Sequence, residues 1–270
     1  MVQLQFDHLV HFLDKPEDFI AELKEQNIHA VDGGVHEGRG TYNALSYFDL
    51  SYLEFLGTYD RDLVKNAKQA HHSMMETIID ADFREGFIRF ASRTTDIEVV
   101  AKEWREKGLT VSGPHPLYRK RPDGSVISWR LLFGGEENDS LKLPFIIQWD
   151  DDDEKRRIEQ IEQGVIGHQQ LGIEFAGPTF AVKDSVETAK KWALYLDLVS
   201  KASYEDKELN AHVEVLALHG GDLHFASPNG DGIVQSILDE HGEVPFQANF
   251  VGASEDKTVE LHNGRYHFKK

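Results

Sequence analysis

The sequence predicts an α+β protein built of repeated strand–helix–strand–strand–strand (βαβββ) units. Three observations lead there: one such pattern fills residues 4–57, a second fills residues 86–149, and an offset of 81 lays the first on the second. Under that offset Phe19 falls on Val100, Leu23 on Trp104, Asn27 on Gly108 and His8 on Arg89. Self-similarity at a fixed period is a strong organisational signal in a single sequence.

In the first unit, residues 4–13 (LQFDHLVHFL) alternate as a strand. Phe6, His8, Val10 and Phe12 fall on one face, and Asp7, Leu9, His11 and Leu13 on the other. Asp14 is placed to cap a helix over residues 17–26, with Pro16 in its first turn and Phe19, Ile20 and Leu23 at helical spacing. Residues 29–31, 41–48 and 52–56 read as strands, separated by turns at Asp32-Gly33-Gly34 and Asp49-Leu50-Ser51. Residues 60–82 lack glycine and proline and read as helical, His71 and His72 being surface or packing residues. In the second unit, strands are expected at 86–93, 109–111, 126–133 and 144–149, a helix at 96–107, and a turn at Pro122-Asp123-Gly124.

The run from Asp150 to Arg157 reads as a solvated connector leading into a short helix at 158–163. Its acidic residues lack the glycine and terminal glutamate of a calcium loop. Beyond it the pattern returns less clearly. Strands are expected at 171–176 or 178–182, then at 212–218, 223–226 and 246–251, with helices at 185–197 and 232–241. A hairpin over 258–268 turns at Asn263-Gly264. The expected organisation is therefore residues 1–150, a connector at 151–167, and a degenerate second region at 168–270.

Composition narrows the function. Against 29 basic residues stand 47 acidic ones, a net charge of −18. Such a surface repels phosphate backbones and anionic bilayers, so neither nucleic acid nor membrane is an expected partner. With no cysteine, any metal must be held by His, carboxylate or water. The N-terminus has no basic segment followed by an apolar one, and no stretch approaches 18 apolar residues, so a cytoplasmic location is expected.

The glycine-rich stretch 33–57, GGVHEGRGTYNALSYFDLSYLEFLG, could cradle a phosphate only if it led into a helix; it leads into strands instead. A hairpin reading places Tyr52, Glu54 and Leu56 on one face and Leu53 and Phe55 on the other. A carboxylate on so apolar a strand needs a partner, because burying it unpaired is costly. A salt bridge to Arg89, a metal, or proton-transfer work with His8 would each account for it.

FDHLV near the start, GGVHEGRGTYNAL, YLEFL, RKRPDGSVISWR and LPFIIQW resemble the glyoxalase-like domain proteins of the vicinal oxygen chelate superfamily. That superfamily includes glyoxalase I, extradiol dioxygenases and bleomycin-resistance proteins. The resemblance covers residues 5–150 and thins beyond. It implies curved mixed sheets in which paired units form a cup. A divalent metal, where present, is held by His and Glu from the first and last strands of each unit. Carried over, His8 and Glu54 are the implied metal ligands and catalytic residues of the first unit. The second unit offers Arg89 where His would stand, and Ile146 or Gln148 where Glu would stand. Arg and Ile do not ligate and Gln ligates weakly, whereas catalytic zinc usually has three protein ligands. The resemblance thus leaves open a reduced site (Zn, Mn, Fe or Ni), a site completed by His36, or a cup that works without metal.

Arg89, Arg93, Arg119, Lys120, Arg121 and Arg130 gather in the second unit of this acidic chain, where they either pair with acids or recognise an anionic substrate. His36, Asn43, Trp129 and Gln148 are expected beside them in the pocket. A His168, His224 and Glu260 triad is conceivable, but no spacing singles it out. The implied function is a small-molecule enzyme of isomerase, lyase or dioxygenase type acting on an oxygen-rich anionic substrate. The alternative is a metal-free binding protein of the bleomycin-resistance kind. The expected partners are a small-molecule ligand and a second copy of the chain.

Overall fold

The structure, a computed structural model, describes residues 3–67, 69–120, 126–169 and 172–270. The elements of the first half are β1 (Gln5–Phe12), α1 (Pro16–Glu25), β2 (Val31–His36), β3 (Thr41–Phe48), β4 (Ser51–Thr58), α2 (Arg61–Asn66) and α3 (Met74–Asp80). They continue with β5 (Gly86–Arg93), α4 (Ile97–Glu106), β6 (Thr110–Lys120), β7 (Val126–Gly135) and β8 (Phe145–Trp149). α5 (Asp153–Glu162) leads to β9 (Glu174–Ala181), α6 (Ser185–Leu196), β10 (Val199–Asp206), β11 (Ala211–Ala217) and β12 (Leu223–Pro228). α7 (Ile233–His241), β13 (Val244–Val251), β14 (Lys257–Leu261) and β15 (Gly264–Phe268) complete the chain.

Two mixed, curved sheets result. The first has eight strands in the order β2-β3-β4-β1-β5-β8-β7-β6, and the second seven in the order β10-β11-β12-β9-β13-β15-β14. In the first sheet the two βαβββ units meet where β1 pairs antiparallel with β5, setting His8 opposite Ala91 and Val10 opposite Arg89. The offset of 81 carries His8 to Arg89 and Val10 to Ala91, so these two pairs exchange under a local two-fold axis. The repeat legible in the sequence is this symmetry.

Each sheet has an apolar outer face, and the two outer faces meet. Phe6, Leu9 and Phe90 of the first sheet join Phe175, Phe180, Phe250 and Tyr266 of the second in one core, with Phe19 and Leu23 of α1, Trp104 of α4 and Trp192 of α6. Ring centroids lie 4.9 Å apart for Phe6 and Phe175 and 5.7 Å for Phe90 and Phe180. The inner faces consequently point away from this core. The β13–β15 unit has no helix of its own, and α1 stands beside it: Phe19 packs on His262 and Tyr266, and Glu22 pairs with His262. Side-chain caps begin α4 (Asp96 to Val99) and α6 (Asp184 to Glu187), each worth about 1 kcal/mol.

The inner face of the first sheet carries Val10, Phe12, Leu56, Ala91, Phe133, Phe145 and Ile147. Val64 of α2, Ile78 of α3 and Phe83 cap part of it.

Several expectations need correcting. The helix expected over 60–82 is two helices, α2 and α3, broken at Ala67 and resumed behind the Ser73 cap. Asp14 does not cap α1; Lys15 holds the cap position with no side-chain bond, and Asp14 instead accepts from Arg61. Asp32-Gly33-Gly34 is no turn but lies inside β2, where a register shift absorbs the glycines. The C-terminal hairpin turns at His262-Asn263, one residue early, both in the left-handed region. The run after Asp150 is helical from Asp153 and is not simply solvated, since Arg156 is buried. β10 has no counterpart in the expected strands, because its pattern is exposed nearly throughout. The Pro122-Asp123-Gly124 turn and Leu171 lie outside the described residues.

Candidate functional site

The site begins with a local irregularity. The β1–β5 register shifts between Phe6 and His8, so strict alternation fails there. Phe6 joins the outer core, whereas Asp7 and His8 both contribute to a buried polar cluster. Neighbouring β4, parallel to β1, sets Tyr52 beside His8 and Glu54 beside Val10. β3, antiparallel to β4, brings Asn43 opposite Leu56, one step along the same face.

The side chains form a line. Asp7 Oδ1 lies 2.7 Å from His8 Nδ1, His8 Nε2 lies 3.5 Å from Glu54 Oε2, and Asn43 Nδ2 donates to Glu54 Oε1 at 2.6 Å. All four residues are buried, Asp7 completely. A carboxylate at Asp7 can only accept, so His8 donates to it through Nδ1–H, which in the neutral ring leaves the lone pair on Nε2. Nε2 and Glu54 Oε2 then face each other 3.5 Å apart, beyond ordinary hydrogen-bond length. The His8 ring stacks on Tyr52 at 4.6 Å, and Tyr52 on Tyr47 at 4.5 Å, which fixes the imidazole plane.

Asp7 is the anchor. Burial alone would raise its pKa, but the His8 hydrogen bond and the charges of Arg156, His8 and Arg93 outweigh it and hold the carboxyl at about 2. Trp149 Nε1 also donates to Asp7 at 2.9 Å, and Arg156 stands 3.7 Å from it while stacking over Trp149 at 4.3 Å. Sequence reasoning missed Asp7, Tyr52 and Arg156. Alternation sent Asp7 to the opposite face, although its place directly before His8 was the available signal. Arg156 was hidden in a charge run.

His36 and Arg119 stand near this line. His36 Nδ1 bonds Thr41 Oγ1 at 2.8 Å; burial lowers its pKa, Glu54 opposes that, and Arg119 and Arg39 add to it. Arg119 Nη1 donates to the Gly33 carbonyl, so the edge strands β6 and β2 meet and nearly close the first sheet. A Cβ at Gly33 would sit 2.2 Å from Asn43 Oδ1 and 2.9 Å from Leu45 Cγ, so the glycine leaves Asn43 room to hold its place.

The structure therefore gathers His8, Glu54 and Asn43 directly, with His36 and Arg119 around them. Trp129 is on the inner face against Trp149, 5.5 Å between ring centroids. Other expected residues stand elsewhere. Arg89 lies on the inner face but does not pair with Glu54: its Nε donates to the Leu143 carbonyl at 2.7 Å and its Nη1 to the His72 carbonyl. Burial lowers its pKa to about 9. Arg93 is spent on the Phe6 carbonyl, Gln5 and Asp153. Arg130 and Gln148 face outward, where Arg130 meets Glu98 and Gln148 caps the Ile97 amide of α4. They cannot line the cup, because alternation on β7 and β8 that turns Trp129 and Trp149 inward turns them out. Arg121 lies outside the described residues. His168, beside His29, is not brought to Glu260, which pairs with Arg265.

For a metal at this place the donor set falls short. The 3.5 Å between His8 Nε2 and Glu54 Oε2 suits two ligands of one tetrahedral ion, whose edge is roughly 3.4 Å for bonds near 2.1 Å. Among the described residues no third ligand atom joins them, His36 included: in the second unit Arg89 is cationic, Gln148 faces away, and Ala91, Phe145 and Ile147 are apolar. Two protein ligands do not make a catalytic metal centre of the usual kind. A cluster of His71, His72 and Glu76, each offering a ligand atom within 4.8 Å of the others, lies elsewhere, before and within α3.

Curved mixed sheets of repeated βαβββ units define the vicinal oxygen chelate fold. The chain belongs to the glyoxalase-like domain family, whose model matches residues 6–196. A hypothetical protein from Staphylococcus aureus has a similar crystal structure, with a TM-score of 0.80, 21% identity and 98% of each chain covered. A mutant of 4-hydroxymandelate synthase from Streptomyces coelicolor is similar at a TM-score of 0.57 and 11% identity, over 93% of this chain and 71% of that one. At such identities the likeness is one of fold. No curated protein matches this chain in sequence. Among the described residues, no helix is long and apolar enough to cross a membrane.

Proposed function

We propose that the first cup is a proton-transfer site for a small, oxygen-rich, anionic molecule, working in an isomerase- or lyase-type reaction. The observation that carries this reading is the buried line Asp7–His8–Glu54–Asn43. Asp7 fixes the His8 tautomer, leaving Nε2 as a base. Asn43 occupies Glu54 Oε1 and leaves Oε2 as the reactive oxygen. Two bases on adjacent strands then face one point, so one can take a proton from carbon and that same proton, given back directly or passed across to the other base first, can return to the substrate on either side. His36 and Arg119 supply N–H groups for a substrate carboxylate or for an oxygen gaining negative charge. Arg119 would exchange the Gly33 carbonyl for the substrate. No step is routed through a metal, because the donor set stops at two.

A second reading, sequestration without turnover, is favoured by Arg89, which stands where the second unit would offer a ligand histidine. One experiment separates the two. A panel of 2-hydroxy, 2-oxo and acyl carboxylic acids is incubated with the protein in deuterium oxide, and loss of carbon-bound protons is followed by NMR. Exchange in at least one compound is expected, slowed about 10²–10⁴-fold in Glu54→Gln. Saturable binding of a panel member with no exchange above the protein-free rate would contradict catalysis and support sequestration.

A further inference from the structure

We propose that His71, His72 and Glu76 bind a divalent transition metal of the zinc class, which clamps the α2–α3 cap to the first cup. The proposal does not depend on the proton-transfer reading, since these residues lie apart from His8 and Glu54.

Four observations carry it. First, His72 is 2% exposed and its Nε2 has no hydrogen-bond partner. A buried ring nitrogen without a protein partner is costly, and a bound ion or an ordered water would satisfy it. Second, His71 Nδ1 and Glu76 Oε1 are 3.5 Å apart, close to the roughly 3.4 Å edge of a tetrahedral ion with bonds near 2.1 Å. Glu76 Oε2 is already taken by the His72 amide at 2.7 Å, so Oε1 is the oxygen left to ligate. Third, Glu137 Oε1 approaches the other ring nitrogen of His71, Nε2, at 3.7 Å. A carboxylate behind a metal-bound histidine is the usual outer support of such a ligand. Fourth, His72 adopts φ 60, a left-handed turn conformation open to histidine. That conformation sets His72 beside His71, ring centroids 3.9 Å apart.

Two imidazoles and one carboxylate suit zinc, cobalt or nickel rather than calcium or magnesium. The Arg89 charge stands behind the cluster, donating to the His72 carbonyl, and Lys142 adds a second positive charge near His72, while Glu76 opposes both. That same bond links the cluster to the cup: the backbone of a ligand residue holds the inner-face arginine. A bound ion would therefore tie α3, the β7–β8 loop and β5 together.

The test uses untagged protein titrated with Zn(II) by calorimetry and with Co(II) in the visible region. One equivalent per chain is expected, with the intense cobalt bands of a four-coordinate site, and Zn(II) should raise the melting temperature. Glu137→Gln should weaken binding about 10–100-fold. His71→Ala and Glu76→Gln, both at half-exposed side chains, should weaken it further while the protein stays folded by circular dichroism. Glu54→Gln and His8→Ala should leave it unchanged. The proposal is overturned if the wild type takes up no stoichiometric metal, or if uptake survives in the His71→Ala/Glu76→Gln double variant. Uptake lost in Glu54→Gln but kept in His71→Ala would also overturn it, by moving the ion to the cup.

Discussion

In the first cup Val10 pairs with Glu54 across β1 and β4; in the second, Thr179 pairs with His224 across β9 and β12. Each of these residues stands at the same distance from its strand end: Val10 and Thr179 two residues before it, Glu54 and His224 four. The antiparallel partners agree, because Val10 faces Arg89 and Thr179 faces Gln247. His8 then corresponds to Gly177, since the two face Ala91 and Asn249. One topology thus presents His8 and Glu54 in one cup, Gly177 and His224 in the other. A Cβ at Gly177 would sit 1.8 Å from the Asp222 carbonyl oxygen, so no side chain can replace it there. His224 accordingly has no basic partner across the cup, and its Nε2 is unpartnered. Arg265 on the same face is neutralised by Glu208 and Glu260. A cavity of ≈310 Å³ lined by Tyr204, Glu208, Gln247, His267 and Lys269 belongs to this second sheet, not to the His8–Glu54 line. The comparison teaches that the fold supplies the positions while the backbone contacts behind each strand decide which positions can carry chemistry.

The largest expected effect comes from the anchor of the first cup. Asp7→Ala strips the His8 and Trp149 N–H groups of their buried acceptor and leaves the buried Arg156 only Asp153, and should cost about 3–5 kcal/mol in urea unfolding. A cost below about 1 kcal/mol would show that Asp7 is not the anchor. Gly177→Ala comes next. It meets the Asp222 carbonyl at a left-handed φ of 118, and should cost roughly 3 kcal/mol or more by thermal melt. If Gly177→Ala is neutral, the reason given for the second cup's empty position is wrong.

Acid should separate the regions further. Burial holds His11 and His224 at about 4, below the ordinary 6.5, so the folded protein refuses protons that the unfolded chain accepts. Their contribution is whole above 6.5 and drains away as the pH falls to about 4, on the order of 3 kcal/mol each. His11 sits between the sheets, its Nε2 2.9 Å from the His262 carbonyl and its Nδ1 2.6 Å from the Tyr266 hydroxyl. Asp7 behaves differently: its stabilising share persists above 3.8 and is lost only as the pH falls toward 2. A pH series of unfolding free energies should therefore show losses between 6.5 and 4 that shrink in His224→Leu, while loss below 4 persists in that variant. Coincident loss in His224→Leu and wild type would erase the distinction. The smallest effect is expected of Arg130→Ala, on the outer face: within about 0.5 kcal/mol, with unchanged deuterium exchange.

The elements that alternation or helical spacing marks strongly were legible in the sequence: β3, β5, α4, α6 and the repeat itself. The nearness of His8 to Glu54 was legible through the family resemblance and the apolar setting of Glu54, and Asn43 was expected only as a companion in the pocket; the role of all three is proposed. Three kinds of feature were not. β10 carries no apolar period because it is an exposed edge strand. The facing of Asp7 depends on a register shift that alternation cannot foresee. Arg89 and Arg130 carry the charge expected of a substrate pocket, but their orientation depends on which carbonyls and acids the tertiary fold brings near.

The most direct test of the central claim is the tautomer of His8, read from two-bond ¹H–¹⁵N correlations of the imidazole rings at neutral pH, with Asp7→Asn as reference. The account predicts a proton on Nδ1 and a bare Nε2 in the wild type, with the Nδ1 proton lost or shared between nitrogens in Asp7→Asn. A proton on Nε2, with Nδ1 bare or protonated, would contradict it: His8 would then be a donor to Glu54 and not a free base.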